Sequence, residues 1–159
     1  MEEIGIREAR QNELKQGAEL IVRMKRLNGE FDPVFRVVED ISERALKYLA
    51  DSINSKNSIV LVATKGERVV GILRAEMRTR TFYEPAREGL ITDFYVLPEA
   101  RRKALGNEMM QQAFNRLKTM GAQIITAEFP AQNEIAVKFY VKRGFRALLN
   151  FYAREEVGQ

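Results

Sequence analysis

The chain contains no cysteine and no histidine, and these two absences remove much of the chemistry open to a protein of this size. Without cysteine there is no disulfide and no thiolate nucleophile. Without either residue the usual zinc ligand sets and every imidazole base are gone, and no metal site is expected. Serine occurs only at Ser42, Ser52, Ser55 and Ser58, none in a Gly-x-Ser-x-Gly setting, so a serine-hydrolase triad is excluded as well. The acid–base groups that remain are carboxylates, tyrosines and lysines. No stretch approaches the roughly 20 apolar residues that span a bilayer. The opening Met1-Glu-Glu-Ile-Gly-Ile-Arg7 has neither the basic leader nor the apolar core of a secretory signal, and a cytoplasmic location is the expectation.

What is present suits one domain over residues 1–159, with 45% hydrophobic and 30% charged residues, ordinary values for a globular chain. The formal charge of +4 and the pI near 9.4 favour acidic partners, which leaves nucleotide phosphates, nucleic acid and anionic lipid open. The clearest basic clusters are Arg101–Lys103 and Lys142–Arg143. No long Lys/Arg tract or RNA-binding aromatic signature accompanies them, so a small phosphorylated ligand is the simpler fit.

Periodicity assigns a strand over Ile4–Glu8, then a helix from an Asn12 N-cap to Leu27, ended by Asn28-Gly29. Asp40-Ile-Ser-Glu43 reads as a capping box for a second helix whose Ala45, Leu46, Leu49 and Ile53 point inward. Ser58–Ala63 and Arg68–Met77 form a hairpin around the four-residue connection Thr64–Glu67. After a loop over Thr79–Glu88, a strand Leu90–Leu97 leads into a helix from Ala104 to Met120, with Leu105, Met109, Ala113, Leu117 and Met120 at helical spacing and Gly121 as its stop. Gln123–Phe129 then makes a βαβ crossover with two parallel strands. A helix over Asn133–Arg143 ends at Gly144, and Phe145–Arg154 is the last expected strand. The fold class is therefore α/β, with a mixed sheet, flanking helices and no internal repeat. The parallel pair leaves a crevice at the carboxyl ends of its strands.

Arg101, Arg102 and Lys103 sit where the first strand of this crossover, Leu90–Leu97, turns into its helix. Basic charge at a helix start opposes the helix dipole, so stability alone would favour Asp or Glu there. An anion held between the cations and the unpaired first-turn N–H groups resolves the conflict. Val96-Leu-Pro98 followed by Arg101-x-x-Ala104-x-Gly106, together with Asn133-x-x-Ala136-x-x-x-Tyr140-x-x-x-Gly144-Phe145, resembles the acetyl-coenzyme A site of the GNAT acetyltransferase superfamily. That family carries Gln/Arg-x-x-Gly-x-Gly/Ala at the turn. Ala104 stands where Gly is usual, which implies somewhat weaker cofactor binding, since Ala keeps its backbone N–H.

The resemblance implies a GNAT-like fold and transfer of an acetyl group from acetyl-coenzyme A to a primary amine in one ternary complex. Arg101, Arg102, Lys103, Ala104, Leu105, Gly106 and Asn107 would bind the pyrophosphate. The strand Phe94, Tyr95 and Val96 would hold the pantetheine amides and the developing oxyanion. Asn133 would contact the pantetheine arm, and Tyr140 would stand near the sulfur as proton donor. Glu128 lies five residues before Asn133, an arrangement similar to that of ribosomal-protein N-terminal acetyltransferases, where a glutamate on this strand is the general base. Here it is followed by Phe129-Pro130 instead of Val-Arg.

Asp93, inside the apolar and aromatic run Leu90–Val96, is the second carboxylate candidate; it is either a tuned base or a member of a structural ion pair. The implied partners are acetyl-coenzyme A and an amine-bearing small molecule or protein, without membrane or nucleic acid, and homodimer formation stays open. Two other readings also stay open: a coenzyme A-binding regulatory domain without activity, and a basic nucleic-acid-binding module.

Overall fold

The computed structural model describes residues 3–101 and 103–156. The strand β1 (Ile4–Glu8) is followed by a 3₁₀ turn, Gln11–Glu13, and by α1 (Leu14–Asn28) and α2 (Ile41–Ile53). Three antiparallel strands come next, β2 (Ser58–Lys65), β3 (Arg68–Thr79) and β4 (Arg87–Val96). The crossover helix α3 (Lys103–Thr119) leads to β5 (Ile124–Ala127), and α4 (Glu134–Lys142) is the last regular element among the described residues. Spatial order follows chain order, β1-β2-β3-β4-β5; only β4 and β5 are parallel. This is the α/β, mixed-sheet architecture the periodicity called for.

Both faces of the sheet are covered, which is why β2 and β3 read as near-continuous apolar runs instead of alternating ones. The side chain of Ile72 meets α1 and α2, where its Cδ1 would lie 3.1 Å from a Cβ placed on Gly17. A Cβ on the adjacent Gly71 would meet Met109 of α3 at the same distance. Neighbouring strand residues point to opposite faces, so α1 and α2 pack on one face and α3 on the other. The periodic residues of α3, Leu105, Met109, Ala113 and Leu117, are all fully buried.

Several boundaries differ from the sequence reading for identifiable reasons. Asn12 does not cap α1; it lies inside the 3₁₀ turn. The local donor there is instead satisfied by Glu13, which accepts from the Arg10 N–H at 2.8 Å and pairs with Arg7 at 2.6 Å. The expected capping box at Asp40 does not form, because the Asp40 carboxylate takes the Arg44 guanidinium at 2.8 Å. Leu46 is 42% exposed and not an inward residue, while Ala45 and Leu49 are buried as expected. The β2–β3 turn is tighter than four residues, with Lys65 already paired to Arg68.

The largest difference is at the end. Phe145–Arg154 does not form a strand of this chain's sheet; residues 146–156 carry no regular structure and are exposed. Gly144, at φ +90°, turns the chain off α4 in a conformation that side chains with a Cβ rarely adopt. Beyond Phe145 the tail packs on nothing comparable to the core.

Leu49 stands at the junction of α2, α1 and β3 with no exposed surface. Leu49→Ala is expected to lower the unfolding free energy by about 2–5 kcal/mol, measured by urea denaturation followed by circular dichroism.

Candidate active site

β4 and β5 run together only from Glu88 opposite Ile124 to Ile91 opposite Ala127. The Glu128 N–H donates to the Ile91 carbonyl at 3.2 Å, and then the chain leaves the sheet through Phe129-Pro130. β4 continues to Val96, still paired with β3, so its other edge faces a gap. Leu97 N–H donates to the Val70 carbonyl at 2.8 Å. By the alternation of an antiparallel ladder, Tyr95 turns its main chain to Ile72 while Phe94 and Val96 turn theirs to the gap. The Val96 carbonyl there accepts a bond from Arg101 Nε at 2.9 Å.

A β-bulge opens this segment: Arg74 pairs with Asp93 but Ala75 with Ile91, leaving Thr92 as the extra residue. A bulge re-aims side chains, and here Thr92 and Asp93 reach the same hydroxyl. Tyr48 of α2 donates to Asp93 Oδ2 at 2.5 Å and lies 3.2 Å from Thr92 Oγ1, which itself donates to Asp93 Oδ2 at 2.8 Å. The other carboxylate oxygen faces Lys25 Nζ of α1 at 2.8 Å. Arg74 lies 4.4 Å over the Tyr48 ring and donates to Ser52, Glu76 and Thr92. Asp93 is thus a buried ion-pair member whose Oδ2 accepts two hydrogen bonds while its Oδ1 meets the Lys25 charge without a hydrogen bond. Burial, with the Asp93 charge behind it, pushes the Tyr48 phenol well above the ordinary tyrosine range.

Tyr140 lies on the opposite side of the gap, on α4. Its ring is stacked on Phe129 at 5.2 Å with the planes 3° apart, and Phe139 and Phe145 meet it edge-on at 5.2 and 5.1 Å. The ring is buried, yet the hydroxyl has no hydrogen-bond partner among the described residues. Burial raises its pKa well above the ordinary value, partly opposed by Arg143 and assisted by Asp93. Glu128 is exposed just past β5; the Arg78 guanidinium, held above its ordinary range chiefly by its hydrogen bond to Glu76, also feels the charges of Glu128 and Glu88.

At the start of α3, Arg101 is exposed, with its guanidinium 5.6 Å over the Tyr95 ring. Arg102 lies outside the described residues. Lys103 opens the helix and Ala104 is exposed, whereas the side chain of Leu105 is sunk in the core. Gly106 has a packing role: an added Cβ would come within 3.2 Å of the Phe139 ring, so its bareness lets α4 approach α3. Phe139 also meets Phe94 at 5.5 Å.

Arg143 locks this approach. It stacks 3.6 Å over Phe139, donates to the Phe139 carbonyl at 2.9 Å and reaches Asn107 Oδ1 at 3.1 Å. Asn133 caps α4 by accepting from the Ala136 N–H at 3.1 Å, which leaves its amide nitrogen for other partners. Among the described residues, no cluster of acidic side chains is placed to hold a metal.

The structure therefore sets Phe94, Val96 and the start of α3 along the gap, with Tyr140 on α4 across it and Glu128 just past the end of β5, leaves Asn133 as the cap of α4, and sets Asp93 into the face that carries α1 and α2. Lys25, Tyr48 and Thr92 were not found from the sequence, because their partnership depends on a bulge and on contacts 45 or more residues apart for Tyr48 with Asp93. Arg143 was visible only as part of a basic pair.

The family model "Acetyltransferase (GNAT) family" matches residues 24–145. No curated protein matches the chain. Among solved structures, a predicted acetyltransferase with acetyl-CoA from Clostridium acetobutylicum is similar at a TM-score of 0.77 and 15% identity, over 96% of this chain and 96% of that one. The aminoglycoside N-acetyltransferase AAC(6')-Iy in complex with CoA has a TM-score of 0.77 at 12% identity, over 98% and 96%. A transcriptional regulator from Bacillus halodurans C-125 has 0.76 at 22% identity, over 97% and 100%.

Breaking the buried ion pair should be costly. Lys25→Met leaves the wholly buried Asp93 carboxylate without its cation, with an expected loss of about 3–5 kcal/mol in urea denaturation, and Asp93→Ala should cost less because the lysine it leaves is partly exposed and the Tyr48 hydroxyl keeps Thr92 as a partner. The raised phenols act at the alkaline end. Folding keeps Tyr48 and Tyr140 protonated while the unfolded chain ionises near pH 10, so their contribution is complete below that value and fades as pH rises toward the folded-state values. Tyr140→Phe should therefore flatten the stability loss above pH ~10, read from denaturation midpoints across an alkaline series.

Proposed function

Because the chain belongs to the acetyltransferase (GNAT) family, we propose that this acyltransferase moves an acetyl group from acetyl-coenzyme A directly onto a primary amine held in the same complex. The observation that carries this reading is the gap beside β4: main-chain groups of Phe94 and Val96 without a strand partner, and across it on α4 Tyr140, joined to Phe94 through the Phe139 ring and with no hydrogen-bond partner for its hydroxyl among the described residues. Bound acetyl-coenzyme A supplies a thioester carbon open to nucleophilic attack. The residues present suit it. The free edge of β4 offers main-chain donors and acceptors to an extended amide-bearing arm, in the manner of an added strand. The first turn of α3, which the basic run Arg101-Arg102-Lys103 leads into along the sequence, suits a pyrophosphate.

An alkylamine has a pKa near 10.4, so a base must take its proton before nitrogen can attack. Glu128 fills this role, directly or through water. Of the two candidate carboxylates it is the exposed one, whereas both oxygens of Asp93 are held by Lys25, Tyr48 and Thr92. Asp93 instead builds the wall of the acceptor side. Charge developing on the thioester oxygen is met by a β4 N–H at the gap. Tyr140, kept protonated by its burial, gives its proton to the departing thiolate or stabilises it by hydrogen bonding.

Glu128, exposed just past the end of β5 where the gap opens, favours a cationic acceptor. The aminoglycoside N-acetyltransferases of similar fold are consistent with a small polyamine-like substrate. A protein N-terminus or a lysine side chain fits the same chemistry.

Thiol release with a panel of amines and peptides tests the proposal; acetyl-coenzyme A binding with no turnover on any acceptor would leave a binding domain in its place. Tyr140→Phe is expected to lower kcat by about 10²-fold with little change in acetyl-coenzyme A affinity. Arg102→Glu is expected to weaken coenzyme A far more than pantetheine in calorimetry, and equal losses for both would remove the basic turn from phosphate binding.

A further inference from the structure

α4 has one packed side and one bare side. It runs for nine residues, Glu134–Lys142, a length that does not hold a helix alone in water. Ile135 is 82% and Val141 58% exposed. The place of the helix therefore depends on what grips its packed side, and that side carries Tyr140.

Arg143 supplies a grip that is more than ring packing. Its main-chain N–H donates to the Tyr140 carbonyl at 3.0 Å, an oxygen that also takes the Phe145 N–H at 3.0 Å. Its guanidinium lies 3.6 Å over the Phe139 ring, donates through Nη1 to the Phe139 carbonyl at 2.9 Å and through Nε to Asn107 Oδ1 at 3.1 Å. Asn107 lies just past the first turn of α3. One residue thus joins the helix of the proton donor to the helix whose start suits a diphosphate. Both side-chain acceptors are neutral oxygens, so these bonds leave the charge of Arg143 uncompensated. A cation held close to a helix start that Arg101, Arg102 and Lys103 already lead into adds like charge there, and an anion bound at that start relieves it. The same charge acts on Tyr140, whose phenol it draws downward against the larger effect of burial.

We propose that Arg143 is a positioning residue: a diphosphate held at the start of α3 draws its guanidinium into the docked arrangement, and Arg143 in turn sets Tyr140 for proton donation. This rests on the reading of the gap as the acetyl-coenzyme A site, and adds to it a coupling between the two ends of the ligand. The anion attracts Arg143 more strongly when α4 is docked against Asn107 than when it has swung away. That difference is what a ligand needs to shift a balance between two arrangements. Tyr140 follows Arg143 because its carbonyl is bonded to the Arg143 N–H and its ring meets Phe139 edge-on.

Hydrogen exchange of the α4 amides reads the coupling without turnover. Coenzyme A is expected to slow exchange at residues 139–141 by about fivefold or more in the unaltered chain, and pantetheine, which lacks the diphosphate, to slow it much less. In Arg143→Met, and separately in Asn107→Leu, coenzyme A bound to saturation by calorimetry is expected to leave that exchange unchanged. Equal slowing by the two ligands, or slowing that persists in both variants, would overturn the inference. In thiol release, Arg143→Met is expected to lower kcat by about 10-fold or more, with a smaller rise in KM for acetyl-coenzyme A. Added to Tyr140→Phe, it is expected to lower kcat no further, because it acts through that hydroxyl. The same factor in both backgrounds would make Arg143 a merely structural residue. Arg143→Lys keeps the charge but loses the fork between the Phe139 carbonyl and Asn107, and is expected to restore kcat only in part. A chain that binds no coenzyme A fails the functional reading and this one with it; a chain that binds and turns over, but shows no such split, fails this one alone.

Discussion

Asp93 is the point at which three elements of this molecule are tied together. A carboxylate with its side chain wholly out of water costs several kcal/mol unless cations and hydrogen-bond donors replace the lost hydration. The replacements come from α1 through Lys25, from α2 through Tyr48, and from the bulge in β4 through Thr92. The two helices are therefore held at a set distance from the strand. Ordinary apolar packing, as between Leu49 and Ile72, would tolerate small slides; a triply partnered buried charge does not. The bulge itself is kept open by the same bonds, since straightening β4 would turn either Thr92 or Asp93 to the other face.

That constraint gives the sheet two chemically different sides at one place. On the α1 and α2 side stand Asp93, Arg74, Glu76 and the acceptor wall, rich in charge. On the other side stand Phe94, Phe139, Tyr140 and Phe129, an aromatic cluster clamped to the start of α3 by Arg143. The gap beyond Ile91 joins them. In the proposed reaction an amine comes from the charged side and a thioester from the aromatic side, and the reacting atoms meet along the free edge of β4. The same divergence of β4 and β5 leaves β5 short.

Much of this was legible in the linear pattern. The βαβ core was readable because the apolar residues of α3 recur at strict helical spacing over four turns, and because Gly121 and Gly144 punctuate the chain where helices end. The basic turn at Arg101 was readable because cations at a helix start contradict the dipole. What misled were groups whose partners are not local. Asp40 has the spacing of a capping box but a guanidinium one turn on competes for its carboxylate. Leu46 fits the apolar stripe of α2, but the side of the helix that the core covers is the one carrying Ile41, Ala45, Leu49 and Ser52, and Leu46 stays outside it. Gly106 sits in a ligand-binding pattern and also serves a ring from a helix about thirty residues away.

From the sequence alone came the absence of thiol and imidazole chemistry, the order of strands and helices, the family pattern and the positions of the candidate carboxylates and Tyr140. These are properties of residue type and of short-range periodicity, which the chain carries whatever its fold. Which carboxylate is buried in an ion pair and which is open to solvent was decided only by tertiary structure, as was the strand that the tail of this chain does not form. Both depend on what a residue meets across the sheet, and charge compensation and edge pairing are settled between segments far apart along the chain.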